Sequence, residues 1–276
     1  MSLLVDSPAR PVSLSAATSS ARSFDAVIFD MDGVVTDTAA VHSTAWKRMF
    51  DEYLRLRERR DGEAFREFTH GHDYRAYVDG RPRYQGVETF LVSRGIHLSP
   101  GTPEDPAGRE TVCGLGNRKN ELFNAIIATA GVKLYASTVA LIESLSREGL
   151  KVGLATSSRN AAPILEKTQT THLFATVVDG LVSAGLGLRG KPHPDIFITA
   201  CRALGVVPAR TVVVEDAVSG VRAGAAGGFG LVIGVAREGN AQELREHGAD
   251  VVVQDLGEIN LAKIDAATRA KREGIR

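Results

Sequence analysis

The chain has 276 residues, enough for one large domain or a core carrying a second lobe, and its 43% hydrophobic and 24% charged residues exclude collagen-like, mucin-like and wholly disordered chains. Thirty-three basic residues balance thirty-three acidic ones, so charge gives no case for nucleic acid or an anionic membrane as the partner. Cys113 and Cys201 stand far apart without CxxC spacing, and no stretch approaches the roughly 20 apolar residues of a membrane span. A cytoplasmic protein with two free thiols is expected.

In chain order, residues 1–23 are rich in Ser, Ala and Pro, with apolar runs too short for a signal peptide, and are expected to form a flexible leader. Residues 25–30, Asp-Ala-Val-Ile-Phe-Asp, read as a buried strand that ends abruptly in acid and glycine. From there to about residue 133 no strand pattern occurs, but amphipathic stretches do, among them 42–56 and 117–130, which predicts an inserted helical lobe over 38–133. Within it, residues 98–109 carry Pro100, Pro103 and Pro106 with Gly101 and Gly108, a surface-loop composition, and the mixed charges of 55–66 predict a solvated helix face.

Beyond the lobe, apolar runs at 151–156, 176–179, 211–215, 230–235 and 250–254 alternate with helical patterns at 141–148, 163–169, 195–204, 220–226 and 241–247. Continuous hydrophobicity marks strands covered on both faces, and the alternation predicts an α/β fold with a doubly wound parallel sheet. This core takes in residues 24–37 and 134–260, leaving 261–276 as a tail.

The chemistry concentrates at predicted strand ends. Asp30-Met-Asp32-Gly-Val-Val-Thr-Asp37-Thr38 leaves the first strand with three carboxylates in eight residues. In extended backbone, residues two apart share a face, so Asp30 and Asp32 point at one spot. Such a pair either holds a cation or splits into one ionised and one protonated member. Glu215-Asp216 ends another strand, and doubly wound folds place ligands at those ends. All-oxygen donors without His or Cys favour a hard cation, Mg2+ first.

A third strand ends in Thr156-Ser157-Ser158-Arg159-Asn160 before a helix that opens near residue 161, an anion site of hydroxyls and free N–H groups. Lys191, in a later loop, can supply a cation beside it. By contrast, 185–191 matches GxGxxG and part of a P-loop only formally, because Pro192 and Pro194 prevent a helix from opening after the glycines. His70-Gly-His72-Asp73 lacks a fourth ligand and reads as a polar loop.

Four such motifs in this order resemble the haloacid dehalogenase superfamily, over about residues 24–255: Asp30-Met-Asp-Gly-Val-Val-Thr-Asp-Thr38, Ala155-Thr-Ser-Ser, Lys191-Pro and Glu215-Asp216. Within it, the chain is similar to the β-phosphoglucomutase-like subfamily through Asp37-Thr38, His42, Ala45-Trp46-Lys47, Gly80, Arg83, Arg118-Lys119-Asn120, Ser158-Arg159-Asn160 and the Lys191-to-Phe197 run. It departs from that pattern at Asp79, where the subfamily has lysine, at Ala136-Ser137, at Ala217, and in the length of the proline loop.

The resemblance implies a Rossmann-like core closed by a helical cap, a phosphotransferase or phosphatase. It implies Asp30 as nucleophile and Asp32 as general acid/base, with Thr38 and Lys191 as further catalytic residues. Asp30, Asp32, Glu215 and Asp216 are the implied Mg2+ site, Asp32 also through its backbone carbonyl. Thr156, Ser157, Ser158, Arg159, Asn160, Lys191, His42, Trp46, Gly80, Arg83 and Lys119 are the implied phosphate and substrate contacts. The implied reaction interconverts β-D-glucose 1-phosphate and glucose 6-phosphate through a phospho-aspartate and a 1,6-bisphosphate. A Mg-dependent sugar-phosphate phosphatase is the alternative. The expected partner is a small sugar phosphate, not nucleic acid or membrane, met by a monomer.

Overall fold

The structure is a computed structural model that describes residues 22–274; the expected leader lies outside the described residues except for Arg22 and Ser23. Ser23 is buried, its amide and hydroxyl both donating to Asp265 Oδ1. Six strands, β1 (Ala26–Phe29), β2 (Lys151–Ala155), β3 (Thr176–Val178), β4 (Thr211–Glu215), β5 (Leu231–Val235) and β6 (Val251–Val253), form one sheet. Their order is β3-β2-β1-β4-β5-β6, every neighbour parallel. This is the doubly wound α/β sheet expected, and β1 lies at its centre beside the switch point where ligands bind.

Both faces of the sheet are covered, which is why its strands read as continuous apolar runs. Val27, Phe29, Val212 and Val214 face one layer, while Ala26, Ile28 and Val213 face the other. The described residues form ten α-helices: α1 (Ala39–Asp61), α2 (Arg83–Ser93), α3 (Val112–Ala130), α4 (Ala136–Arg147), α5 (Ala161–Lys167), α6 (Gly180–Gly185), α7 (Asp195–Leu204), α8 (Val218–Ala226), α9 (Ala241–Glu246) and α10 (Leu261–Arg272). Helices α4, α5 and α10 cover the first face and α7, α8 and α9 the second.

Between β1 and α4 the chain makes α1, a π-helix over His70–Val78, α2 and α3 around an aromatic cluster of Trp46, Phe50, Phe68 and Phe90. The rings of Phe50 and Phe90 are 4.1 Å apart, a stacking distance that adds to plain burial. Where a polar loop was expected at His70, Thr69 caps the π-helix by accepting from the Asp73 amide. Residues 261–276, expected as a tail, instead supply α10. Asn260 caps its first turn through the Lys263 amide, and Ile264 is buried in the core.

Core and lobe are joined by two adjacent strands of chain. Thr36 bridges to Leu134, Asp37 N donates to Lys133 O at 2.9 Å, and Tyr135 N donates to Val35 O at 3.0 Å. Among the described residues, no helix is long and apolar enough to cross a membrane.

Candidate active site

The carboxyl ends of β1, β2 and β4 open into a cleft roofed by α1, the π-helix, α2 and α3. Asp30 and Asp32 lie on its floor with Thr156 and Asp216, while His42, Trp46, Gly80, Arg83 and Lys119 come from the lobe. The turn after β1 depends on Gly33, whose φ is +82° and whose missing side chain leaves room for Asp216: a Cβ there would lie 1.7 Å from its Oδ2.

Asp30 is 6% exposed, and Lys191 Nζ donates to its Oδ1 at 2.5 Å and also to Glu215 Oε1. Burial drives Asp30 up, Lys191 opposes it, and Glu215 and Asp32 push in the same direction as burial, leaving it at about 8. Burial pushes Lys191 down, but Asp30 and Glu215 outweigh it and hold it firmly protonated.

Asp32 goes the other way. Burial raises it, yet His42, Thr38 and Lys119 together bring it below the ordinary carboxylate range. Thr38 Oγ1 donates to Asp32 Oδ1 and pairs with Thr36, and His42 Nε2 stands 3.2 Å from the same oxygen. On the far side of the imidazole, Lys119 Nζ lies 2.5 Å from His42 Nδ1. Lys119 is 3% exposed, and burial followed by the nearby Arg83 lowers it to about 7. Asp32 is thus lowered and Asp30 raised, because His42, Thr38 and Lys119 surround Asp32 whereas Asp30 shares Lys191 with Glu215.

Glu215, expected at the metal site, has both oxygens engaged elsewhere: Oε1 accepts from Lys191 and Oε2 from the Ala217 amide at 2.8 Å. Among the described residues, no three His, Cys, Asp or Glu side chains are already gathered as a ligand set. Asp30, Asp32, Asp79 and Asp216 line the cleft, and burial with neighbouring acids drives Asp216 up as well. With backbone carbonyls these all-oxygen donors fit a hard divalent cation, whose charge would return Asp30 and Asp216 to the ionised form.

The Thr156–Asn160 loop turns its polar groups in two directions. Thr156 Oγ1 accepts from Ser158 N at 3.1 Å, and Ser158 Oγ accepts from Asn160 N at 3.2 Å, so the loop braces itself. Ser157 Oγ reaches the lobe, donating to Gly80 O at 2.8 Å. At the seam between core and lobe, Asn160 Nδ2 and Arg83 both donate to Asn120 Oδ1, at 2.9 and 2.7 Å. Burial, with the facing Arg159, lowers Arg83 to about 10 despite an opposing contribution from Tyr84. Two guanidiniums facing one cleft form an anion site.

Every residue expected at the site lies in or against this cleft. Arg118, matched in the sequence alongside Lys119, instead points outward to Glu52. Sequence reasoning missed Tyr74, Arg81 and Asn120, and treated Asp79 only as a departure. Asp79 lines the cleft, raised to about 7 by burial and by Glu215 and Glu238. The one signal for Asn120 was its place in the matched Arg118-Lys119-Asn120 run. His70 and His72 form no metal site; His70 contacts Ser43 and Glu238.

A family model described as haloacid dehalogenase-like hydrolase matches residues 24–228. A β-phosphoglucomutase of Mycobacterium bovis is 45% identical over 237 residues, 85% of this chain and 90% of its own. A phosphorylated carbohydrates phosphatase of Thermotoga maritima is 28% identical over 87% of this chain and 98% of its own. Among solved structures, a β-phosphoglucomutase of Clostridium difficile shares the fold at a TM-score of 0.70 and 22% identity, covering 91% of this chain and 99% of that one.

Proposed function

The chain belongs to the haloacid dehalogenase-like hydrolases and is an enzyme, a phosphotransferase or phosphatase, and from that premise we propose a phosphomutase that interconverts β-D-glucose 1-phosphate and glucose 6-phosphate. The observation that carries this reading is two sets of anion-binding side chains on one cleft. Lys191 donates to Asp30, with Thr156 lining the same cleft, while Arg83, Arg159 and Asn160 line it at the seam between core and lobe. Release of phosphate from a monoester needs only the first; a sugar phosphorylated at both ends needs both. The name of the Mycobacterium bovis relative supports the same reading.

In this mechanism the cycle starts from phospho-Asp30, formed when an Asp30 carboxylate oxygen bonds to a phosphorus of the bisphosphate primer as that sugar oxygen–phosphorus bond breaks. Lys191 and Thr156 hold the nonreacting phosphoryl oxygens. Asp32, kept ionised by His42, Thr38 and Lys119, takes the proton of the 6-hydroxyl of β-glucose 1-phosphate. That oxygen bonds to phosphorus as the Asp30 oxygen–phosphorus bond breaks, forming the 1,6-bisphosphate. After the bisphosphate turns end for end, Asp30 bonds to the phosphorus at C1 as the C1 oxygen–phosphorus bond breaks, and Asp32 returns its proton to the departing oxygen, leaving glucose 6-phosphate and phospho-Asp30. Asp30, Asp216 and the Asp32 carbonyl would hold Mg2+, which would supply positive charge to offset repulsion between carboxylate and phosphate. Trp46 and Gly80 help the lobe close over the cleft and exclude water. One chain carries every group this scheme uses, consistent with a monomer.

The test is a coupled assay for glucose 6-phosphate from β-glucose 1-phosphate with Mg2+ and a bisphosphate primer. Primer-dependent turnover that disappears in Asp30→Ala supports the mutase. Release of free phosphate without isomerisation instead selects the phosphatase, in which water takes the place of the sugar hydroxyl, as the Thermotoga maritima relative's name suggests.

A further inference from the structure

The proline-rich loop that lengthens the lobe lies between α2 and α3, and the reaction scheme leaves it without a role. Its organiser is Asp105, 7% exposed, whose carboxylate accepts from Thr111 Oγ1 at 2.6 Å and from Arg109 at 2.9 Å. The loop so fixed offers two carbonyls, those of Pro103 and Asp105, to the side-chain amide of Asn117 at 3.0 and 2.8 Å. With both donors of its Nδ2 committed, Asn117 must turn Oδ1 the other way. There it accepts from Tyr84 Oη at 3.0 Å. The Tyr84 hydroxyl, its proton spent on Asn117, in turn accepts from Arg159 at 3.1 Å across the seam between lobe and core.

Two glycines confine the last two members of this chain. A Cβ on Gly116 would lie 2.7 Å from Cδ1 of Tyr84, so the ring lies directly on the bare backbone of α3. A Cβ on Gly180 would lie 2.8 Å from Cγ of Arg159, so its stem runs over the start of α6 in the same way. The guanidinium carbon is 5.6 Å from the Tyr84 ring centre, within cation–π range. Arg159 therefore has one favoured place, in the cleft lining at the seam between core and lobe, and its contact with Tyr84 exists only with the lobe seated.

We infer that Tyr84 is a positioning residue: through Asn117 and the proline loop it presents Arg159 to the substrate phosphate remote from Asp30. The inference rests on the proposed function, because it needs a second phosphate at that seam. It makes Arg159 a clamp that forms as the lobe closes, a duty no free surface arginine performs.

The test is a double-mutant cycle of Tyr84→Phe and Arg159→Ala, followed through KM and kcat for the sugar phosphate with bisphosphate primer. Loss of one hydrogen bond to a charged group is expected to raise KM in Tyr84→Phe about tenfold, well beyond any fall in kcat. In the Arg159→Ala background the same change is expected to add less than about twofold. Additive effects, or a Tyr84→Phe enzyme with wild-type KM beside an impaired Arg159→Ala, overturn the inference alone. An Arg159→Ala enzyme with unchanged KM overturns the remote phosphate site and the inference with it. Asn117→Ala provides an independent arm, expected to reproduce the rise in KM; wild-type KM there counts against the relay.

Discussion

Lys119 shows how much a single side chain's setting decides. It is buried and faces Arg83, and Asp32 opposes these influences only in part, so it stands at about 7 when folded. Unfolded, a lysine titrates near 10.4. Between these values the unfolded chain holds a proton that the folded one does not, so raising pH through this window favours folding. The Tm of the wild type is therefore expected to rise relative to Lys119→Met as pH goes from 7 to 10; a constant gap in melting scans would show that Lys119 titrates normally. That Asp30, Asp32, Lys119 and His42 belong to one site was legible in the sequence from their motifs. Which carboxylate is raised was not, because that depends on Lys191 arriving from one loop and His42 from a helix of the lobe. The pairing of Glu215 was hidden for the same reason: its sequence neighbour is Asp216, but its partner in space is Lys191.

At the scale of elements, local patterns told most. Each apolar run predicted as a strand contains one, and helix α7 spans the predicted 195–204, closed by Gly205 at a φ of +65°. The π-helix and α10 escaped. The first has no sequence period of its own, and the second mixes alanines with charged residues around a narrow buried strip at Ile264 and Thr268. Because Ile264 is 1% exposed, Ile264→Ala is expected to cost about 2–4 kcal/mol in urea unfolding; a loss below about 1 kcal/mol would show α10 to be an accessory. The loop before α2 has the opposite balance of stability and function. Gly80 has a φ of +65°, and a Cβ on it would stand 2.2 Å from Ser219 Oγ, which donates to Asp79 O at 2.9 Å. Gly80→Ala is expected to cost only about 1 kcal/mol of stability, through backbone strain, yet to reduce kcat/KM more than tenfold by preventing the loop from seating on the core. Turnover within twofold of wild type would mean that this contact is incidental to closure.

Across the whole molecule, the contacts between lobe and core include two polar edges besides the Gly80 loop. One is the Arg159–Tyr84 and Asn160–Asn120 seam; the other joins the π-helix to Glu238, whose Oε2 lies 3.0 Å from His70 Nε2 and 3.1 Å from Arg75. A mutase must keep water from phospho-Asp30 until a sugar hydroxyl arrives, so each edge bears on how the intermediate divides between transfer and hydrolysis. The carboxylate of Glu238 is partly exposed, and an ion pair in such a place contributes at most about 1 kcal/mol to folding. The same contribution set against an opening equilibrium of similar size can shift the open fraction several-fold. Glu238→Ala keeps the main-chain carbonyl that accepts from Arg75 at 3.2 Å, so the edge is loosened rather than abolished. Its Tm is expected to stay within a few degrees of wild type, while phosphate released per glucose 6-phosphate formed rises about three- to tenfold. Measured together by phosphate release and coupled dehydrogenase assays, an unchanged ratio would locate the water barrier wholly at the Arg159 seam, and a rise confined to variants that also unfold would assign the effect to stability.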